Sequence, residues 1–142
     1  FHSQFLFFGL LRRGHLKHGK EEGDYKMAGI SSDVIRGYND TMILYILLEN
    51  PSYGYEISKT IRQMTDQKYL IKETTLYSAF SRMEKNGYIQ SFIAQPDANG
   101  NGKKRTYYQI TELGRQYYEE KCEEWFLTKE VVENFIQKGA EK

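Results

Sequence analysis

Beyond Gly87 the apolar residues of this chain stop recurring every three to four positions, and at Thr111 the helical spacing returns. The interval between them holds two segments rich in Tyr, Ile and Phe, Tyr88–Gln95 and Arg105–Ile110, which suit β-strands. They flank Pro96-Asp97-Ala98-Asn99-Gly100-Asn101-Gly102, where Asn-Gly occurs twice, a strong hairpin signal. One hairpin set between helices leaves few folds open.

Upstream, Ser31-Ser32-Asp33 offers capping side chains before Val34, Ile35, Tyr38, Met42, Ile43, Ile46 and Leu47, an amphipathic helix that Pro51 ends. A second helix is predicted from Tyr53-Gly54, with Ile57, Ile61 and Met64 on one face. Gln67–Lys72 reads as a short extended segment. A third helix follows from Glu73 to about Asn86, with Gly87 placed to cap it. Thr111 is placed to cap a long last helix with Glu112 in its first turn. The predicted order is helix, helix, short strand, helix, hairpin, helix. The fold class is therefore mainly α (α+β): a winged helix-turn-helix over 27–110 and a C-terminal dimerisation helix and tail over 111–142.

The chain has 142 residues, enough for one ordinary domain. A single cysteine, Cys122, rules out an internal disulfide and favours a reducing compartment. No apolar run approaches the ~20 residues of a membrane span. Residues 1–26 differ in character from the rest: they begin without Met, place Arg12-Arg13 after an apolar patch, and contain all three histidines. They are expected to be a leader foreign to the domain, with Met27 as the native start, and a native amphipathic arm is the alternative.

Binding chemistry concentrates on the third helix and the hairpin. Leu76, Ala79, Phe80 and Met83 share one face of the helix, while Thr74, Ser78, Ser81, Arg82 and Lys85 occupy the other, flanked by Thr75 and Tyr77. Short hydroxyls let a helix sit deep in a major groove, and Arg or Lys then reaches bases or phosphates. Taken alone, such a face is ordinary on a surface helix. Lys103-Lys104-Arg105, directly after the hairpin tip, tilts the balance. From Lys72 to Arg105 the net charge is +3, whereas from Glu112 to the end it is −3, although the whole chain carries only +1. A polyanion responds to the local charge, within ~10 Å.

The last helix carries a broad apolar stripe, Tyr118, Cys122, Trp125, Val132 and Ile136, widened by Phe126, Val131 and Phe135. Its breadth predicts a second copy of the chain as partner. Trp125 has two readings: an interface anchor, or a surface on which a planar aromatic effector stacks. Cys122 reads as a small buried hydrophobe.

Tyr53-Gly54-Tyr55-Glu56-Ile57, Thr75-Leu76-Tyr77 with Ser81-Arg82-Met83-Glu84-Lys85-Asn86-Gly87, and Lys104-Arg105-Thr106-Tyr107-Tyr108 running into Thr111-Glu112-Leu113-Gly114-Arg115 resemble the PadR family of transcriptional regulators. The resemblance spans roughly Ile30 to Gln137 and is of the small subfamily. The stretch Glu124-Trp125 followed by Glu133-Asn134 is similar to multidrug-binding PadR-type repressors, in which the matching tryptophan stacks on planar drugs between subunits. Together with the apolar stripe, this leads to the expectation of a cytoplasmic homodimer on a palindromic double-stranded DNA operator. The resemblance implies DNA contacts at Tyr53, Thr74, Thr75, Tyr77, Ser78, Arg82, Lys103, Lys104 and Arg105, to which the outer face of the third helix adds Lys85, and an effector contact at Trp125. Two departures stand out: Lys72 lies where a capping Ser or Asn is common, and the family's Arg-Leu-Glu reads Arg82-Met83-Glu84.

No HExxH, paired CxxC or Walker loop is present, so no catalytic residue, cofactor or metal is expected. The competing reading is a dimeric protein-interaction module without specific DNA binding, because a dimer seam alone accounts for the aromatic content. Salt dependence of DNA binding separates the two.

Overall fold

The chain enters helical structure at Ser32, within the predicted capping cluster, but the first helix is broken. In the computed structural model, which describes residues 29–95 and 102–141, helix α1 spans Ser32–Ile35, a 3-10 turn spans Arg36–Tyr38, and α2 spans Asn39–Leu47. The expected single helix is interrupted by this 3-10 turn, which is centred on Gly37, a poor helix former. As a result Val34 is exposed, Ile35 and Tyr38 are half-buried, and the stripe that reaches the core starts only at Asn39. Residues 1–26 and the hairpin tip Pro96–Asn101 lie outside the described residues.

The third strand of the sheet is not where it was predicted. Gln67–Lys72 forms no strand; β1 is instead Ser52–Tyr53, ahead of α3 (Gly54–Met64). The turn after α3 explains why. Asp66 and Gln67 both adopt left-handed backbone (φ 55° and 67°), and Gln67 N donates to the Arg62 carbonyl at 2.9 Å while Asp66 N donates to that of Gln63 at 3.2 Å. This closes α3 in a Schellman arrangement. Thr65 Oγ1 then accepts from Tyr69 N at 3.2 Å, so local turn contacts take polar groups that a strand would offer to a neighbour. Met64, expected on the buried face of α3, is exposed at this end, while Ile57 and Ile61 are buried.

Helix α4 (Glu73–Lys85) buries Leu76, Ala79, Phe80 and Met83, the four residues of its predicted core face. Lys72, in extended backbone before it, supplies no side-chain cap. At the other end Gly87 turns left-handed (φ 85°), with Tyr88 N donating to Met83 O at 2.9 Å and Gly87 N to Glu84 O at 3.1 Å. The chain then forms β2 (Ile89–Ala94) and β3 (Arg105–Ile110), antiparallel from Ile89↔Ile110 to Ala94↔Arg105. β1 adds to the free side of β3 through Ser52↔Tyr108 and Tyr53↔Tyr107, giving the order β1-β3-β2. One sheet face meets the helices, where Tyr108 stacks on Phe80 at 4.0 Å.

Thr111 caps α5 (Glu112–Glu141) as predicted: Gly114 N donates to its Oγ1 at 3.0 Å, and that hydroxyl donates to the Gly87 carbonyl at 2.6 Å. Residues Asp33–Cys122 form one compact unit, and α5 from Glu123 onward falls outside it. The core of this unit is Ile43, Leu44, Leu47, Ile57, Ile61, Ile71, Leu76, Ala79, Phe80, Met83, Ile89 and Tyr108. Among the described residues no helix is long and apolar enough to cross a membrane.

Candidate nucleic-acid interface

Burying one face of α4 leaves the other outward. Thr74, Tyr77, Ser78, Ser81, Arg82 and Lys85 line one open groove along it. Five of the predicted contacts, Thr74, Tyr77, Ser78, Arg82 and Lys85, are thus brought together. Thr75 is half-buried to the side and is not among the lining residues. Ser81 joins the groove.

The wing is anchored beside this helix through one corner. The Tyr77 hydroxyl lies so close to Gly54 that a Cβ there would come within 2.2 Å of it. The missing side chain at Gly54 leaves room for this approach. Its neighbour Tyr53 meets the wing: the Tyr53 ring packs on Tyr107 at 5.3 Å, and the Arg105 guanidinium lies 4.5 Å from the centre of the Tyr53 ring. Phe92 continues the row against Tyr107 at 5.7 Å. The register accounts for it, since Tyr53, Tyr107 and Phe92 are cross-strand partners on the sheet face opposite Tyr108. Helix α4 and the wing therefore share the Tyr53–Gly54 corner. Lys103 and Lys104 are exposed.

Arg82 has a partner that the helix pattern does not reveal. Its Nη1 and Nη2 donate to Asp40 Oδ2 and Oδ1 at 2.7 and 2.9 Å. The hydrogen bond to Asp40 pushes the Arg82 guanidinium above its ordinary value. Asp40 is buried on α2, and Tyr117 of α5 donates to its Oδ2 at 3.1 Å. Burial, then the Asp40 charge, pushes the Tyr117 phenol up. The missed signal was in the spacing: Asp40, Ile43, Leu44 and Leu47 follow i, i+3, i+4, i+7, which places a carboxylate at the head of the core stripe.

On α5, Trp125 is 40% exposed, and Phe126, Val131, Val132, Phe135 and Ile136 are exposed as well. Cys122, expected to be buried, is half-buried. Tyr118, one turn before it, is pushed up to about 12, first by burial and then by its hydrogen bond to Cys122. A separate apolar pocket of about 280 Å³ is lined by residues of α2 and α3 with Tyr118. Among the described residues no group of three or more His, Cys, Asp or Glu side chains is arranged to hold a metal ion.

The same architecture recurs in known proteins. A family model described as the transcriptional regulator PadR-like family matches residues 43–120, which include α3, α4, both long strands and the start of α5. A transcriptional regulator from Clostridium thermocellum is 61% identical, with a TM-score of 0.67, over 74% of this chain and 99% of that one. A PadR family transcription regulator from hypervirulent Clostridium difficile is 35% identical, with a TM-score of 0.60, over 70% of this chain and 98% of that one. An uncharacterized protein of Lysinibacillus sphaericus is 42% identical over 108 residues, 76% of this chain and 96% of that protein. Regulators of this kind bind DNA and typically dimerise, and the family is not an enzyme class. Matched across α4, the two long strands and the start of α5, the chain belongs to the PadR-like family of transcriptional regulators.

Proposed function

We propose that the protein is a cytoplasmic, homodimeric repressor that occupies a palindromic DNA operator and leaves it when a planar aromatic compound binds between the subunits. The observation that carries this reading is the shared corner: Tyr53 and Gly54 hold the α4 groove and the cationic wing side by side. Helix α4 enters the major groove, where Thr74, Tyr77 and Ser78 meet base edges and Lys85 meets the backbone. Lys103, Lys104 and Arg105 lie along the neighbouring phosphates, with Arg105 held in place by the Tyr53 ring. The two copies present their reading helices one turn of duplex apart, ~34 Å.

Dimerisation is supported by the apolar residues that α5 leaves exposed, among them Trp125, Val132 and Ile136. Trp125 in this seam is the effector contact. Quenching of its fluorescence by flat aromatic compounds supports that role, and unaltered emission across a varied panel refutes it.

The deciding experiment is a salt titration of duplex binding by fluorescence anisotropy. Each phosphate contact contributes ~0.9 to the slope of log K against log salt, so Lys104→Ala, lost from both subunits, lowers that slope by about 2. Lys104→Ala and Arg105→Ala weaken binding to all sequences alike, whereas Ser78→Ala changes the sequence preferred. Salt-insensitive behaviour, or no duplex binding at all, would favour the protein-interaction module that the exposed apolar face of α5 also fits.

A further inference from the structure

One carboxylate joins three helices of the compact unit. Asp40 stands on α2, Arg82 on α4 and Tyr117 on α5. The Oδ2 that takes the 2.7 Å bond from Arg82 also accepts the Tyr117 hydroxyl at 3.1 Å. The Asp40 side chain is 7% exposed and that of Arg82 51%. A buried carboxylate without its partner is strongly disfavoured, so the Arg82 guanidinium cannot swing out toward a base without leaving that charge uncompensated. The two parallel bonds also fix the plane of the guanidinium, because a forked donor meets both carboxylate oxygens in one orientation. Ser78 lies four residues before Arg82 and Lys85 three after it, so the rotation at which α4 is pinned sets where both project.

We infer that Asp40 and Tyr117 are positioning residues for DNA reading, which hold Arg82 so that α4 offers Thr74, Tyr77 and Ser78 at one fixed rotation. Arg82 acts through this bond and not by reading a base. The inference rests on the proposal that α4 is the DNA-reading helix.

The test uses the full chain and a duplex fragment selected by the wild type from random sequence, with a scrambled duplex of equal length as reference. Kd is measured for Asp40→Asn, Arg82→Ala, Tyr117→Phe and the Asp40→Asn/Arg82→Ala double variant, at a temperature where circular dichroism shows each folded. Asp40→Asn and Arg82→Ala each weaken the selected duplex by roughly tenfold, within the range for groups sharing one network. The double variant loses no more than either single one. Binding to the scrambled duplex and the salt slope stay unchanged. Tyr117→Phe loses a few-fold in the same direction; it deletes one hydroxyl and keeps the ring stacked on Tyr88, so it carries the test if Asp40→Asn does not fold. Three results would overturn the inference. Tighter binding by Asp40→Asn would mean that a released Arg82 contacts DNA. A new preferred base for Arg82→Ala would mean direct reading. Lower melting temperatures with every Kd unchanged would mean a structural network only. A wild type that binds no duplex would overturn the proposed function itself, and this inference with it.

Discussion

Alanine at Gly114 and alanine at Gly54 are the same chemical change at two tight contacts, yet they have different outcomes. A methyl group at Gly114 would lie 2.1 Å from the Tyr88 carbonyl oxygen and 2.9 Å from Ile110 Cγ1. Carbon contacts are comfortable only from about 3.5 Å, so the overlap exceeds 1 Å. The obstacle is backbone and is itself held in place: Tyr88 O accepts from Thr111 N at 3.0 Å, and Tyr88 N donates to Met83 O at 2.9 Å. Relief requires the first turn of α5 to lift. That breaks the Gly114–Thr111 cap and loosens Tyr88 from Tyr117, whose rings stack at 4.0 Å. Overpacking costs about 1–3 kcal/mol and a lost cap about 1 more, against a helix-propensity gain below about 1. Gly114→Ala is expected to lose about 2–3 kcal/mol, and at about 4–8 °C per kcal/mol for a domain of this size its Tm falls by roughly 10–20 °C.

At Gly54 the methyl would meet the Tyr77 hydroxyl at 2.2 Å, but this is the end of a side chain that is 43% exposed. The ring can swing outward, giving up part of its edge contact with Phe80 at 5.3 Å. Gly54→Ala therefore costs about 1 kcal/mol or less, while moving a predicted DNA contact. Thermal melts by circular dichroism together with duplex binding read both effects: Gly114→Ala loses stability, and Gly54→Ala loses affinity several-fold with a small change in Tm. Equal Tm losses, or the reverse order, would refute the reasoning that a fixed carbonyl and a mobile phenol resist a methyl group differently.

Two further outcomes follow from the turn and from the buried or partly buried phenols. Left-handed backbone costs a non-glycine residue about 1–2 kcal/mol, and Asp66 and Gln67 both adopt it. Asp66→Gly and Gln67→Gly are each expected to stabilise by about 0.5–1 kcal/mol after the larger unfolded-state entropy of glycine is counted, read as a higher midpoint of urea unfolding; a lower midpoint for both would refute this. Tyr69, Tyr108, Tyr117 and Tyr118 are all pushed up chiefly by burial, Tyr118 to about 12. Above the ordinary tyrosine value of about 10 the folded state binds more protons than the unfolded one, so stability is intact below about pH 10 and is lost as pH rises toward 12. Tm measured across that range falls, and the late tyrosinate absorbance appears together with unfolding; ionisation of every tyrosine near pH 10 with the fold intact would contradict it.

Periodicity made part of this architecture readable from the chain. The buried set of α4 and the bounds of β3 follow from spacing and residue type within one element, and the Thr111 and Gly87 caps follow from chemistry within three or four residues. β1 was not readable in that way. Two residues are too few to show a period, and Ser52–Tyr53 is a strand only because Tyr107 and Tyr108, more than fifty positions later, offer it an edge. Tyr69-Leu70-Ile71 has strand-like composition, but the left-handed pair before it turns the chain aside.

The candidate site divides along the same line. Which residues face outward on α4 follows from where the core face is, because outward positions are the complement of an apolar stripe. What an outward cation is doing does not follow from the stripe, and Arg82 shows it. Its partner lies 42 positions away on another helix. Half of that pairing was nonetheless present in the chain: a carboxylate at position 40, one step ahead of Ile43, Leu44 and Leu47, is driven into the core by its neighbours and is destabilising there without a counter-charge. The stripe thus requires that a cation approach α2, and only the packing of α4 across it decides that the cation is Arg82. A charge on the core side of a helix is therefore a statement about a second element, and here that element is the one expected to read DNA.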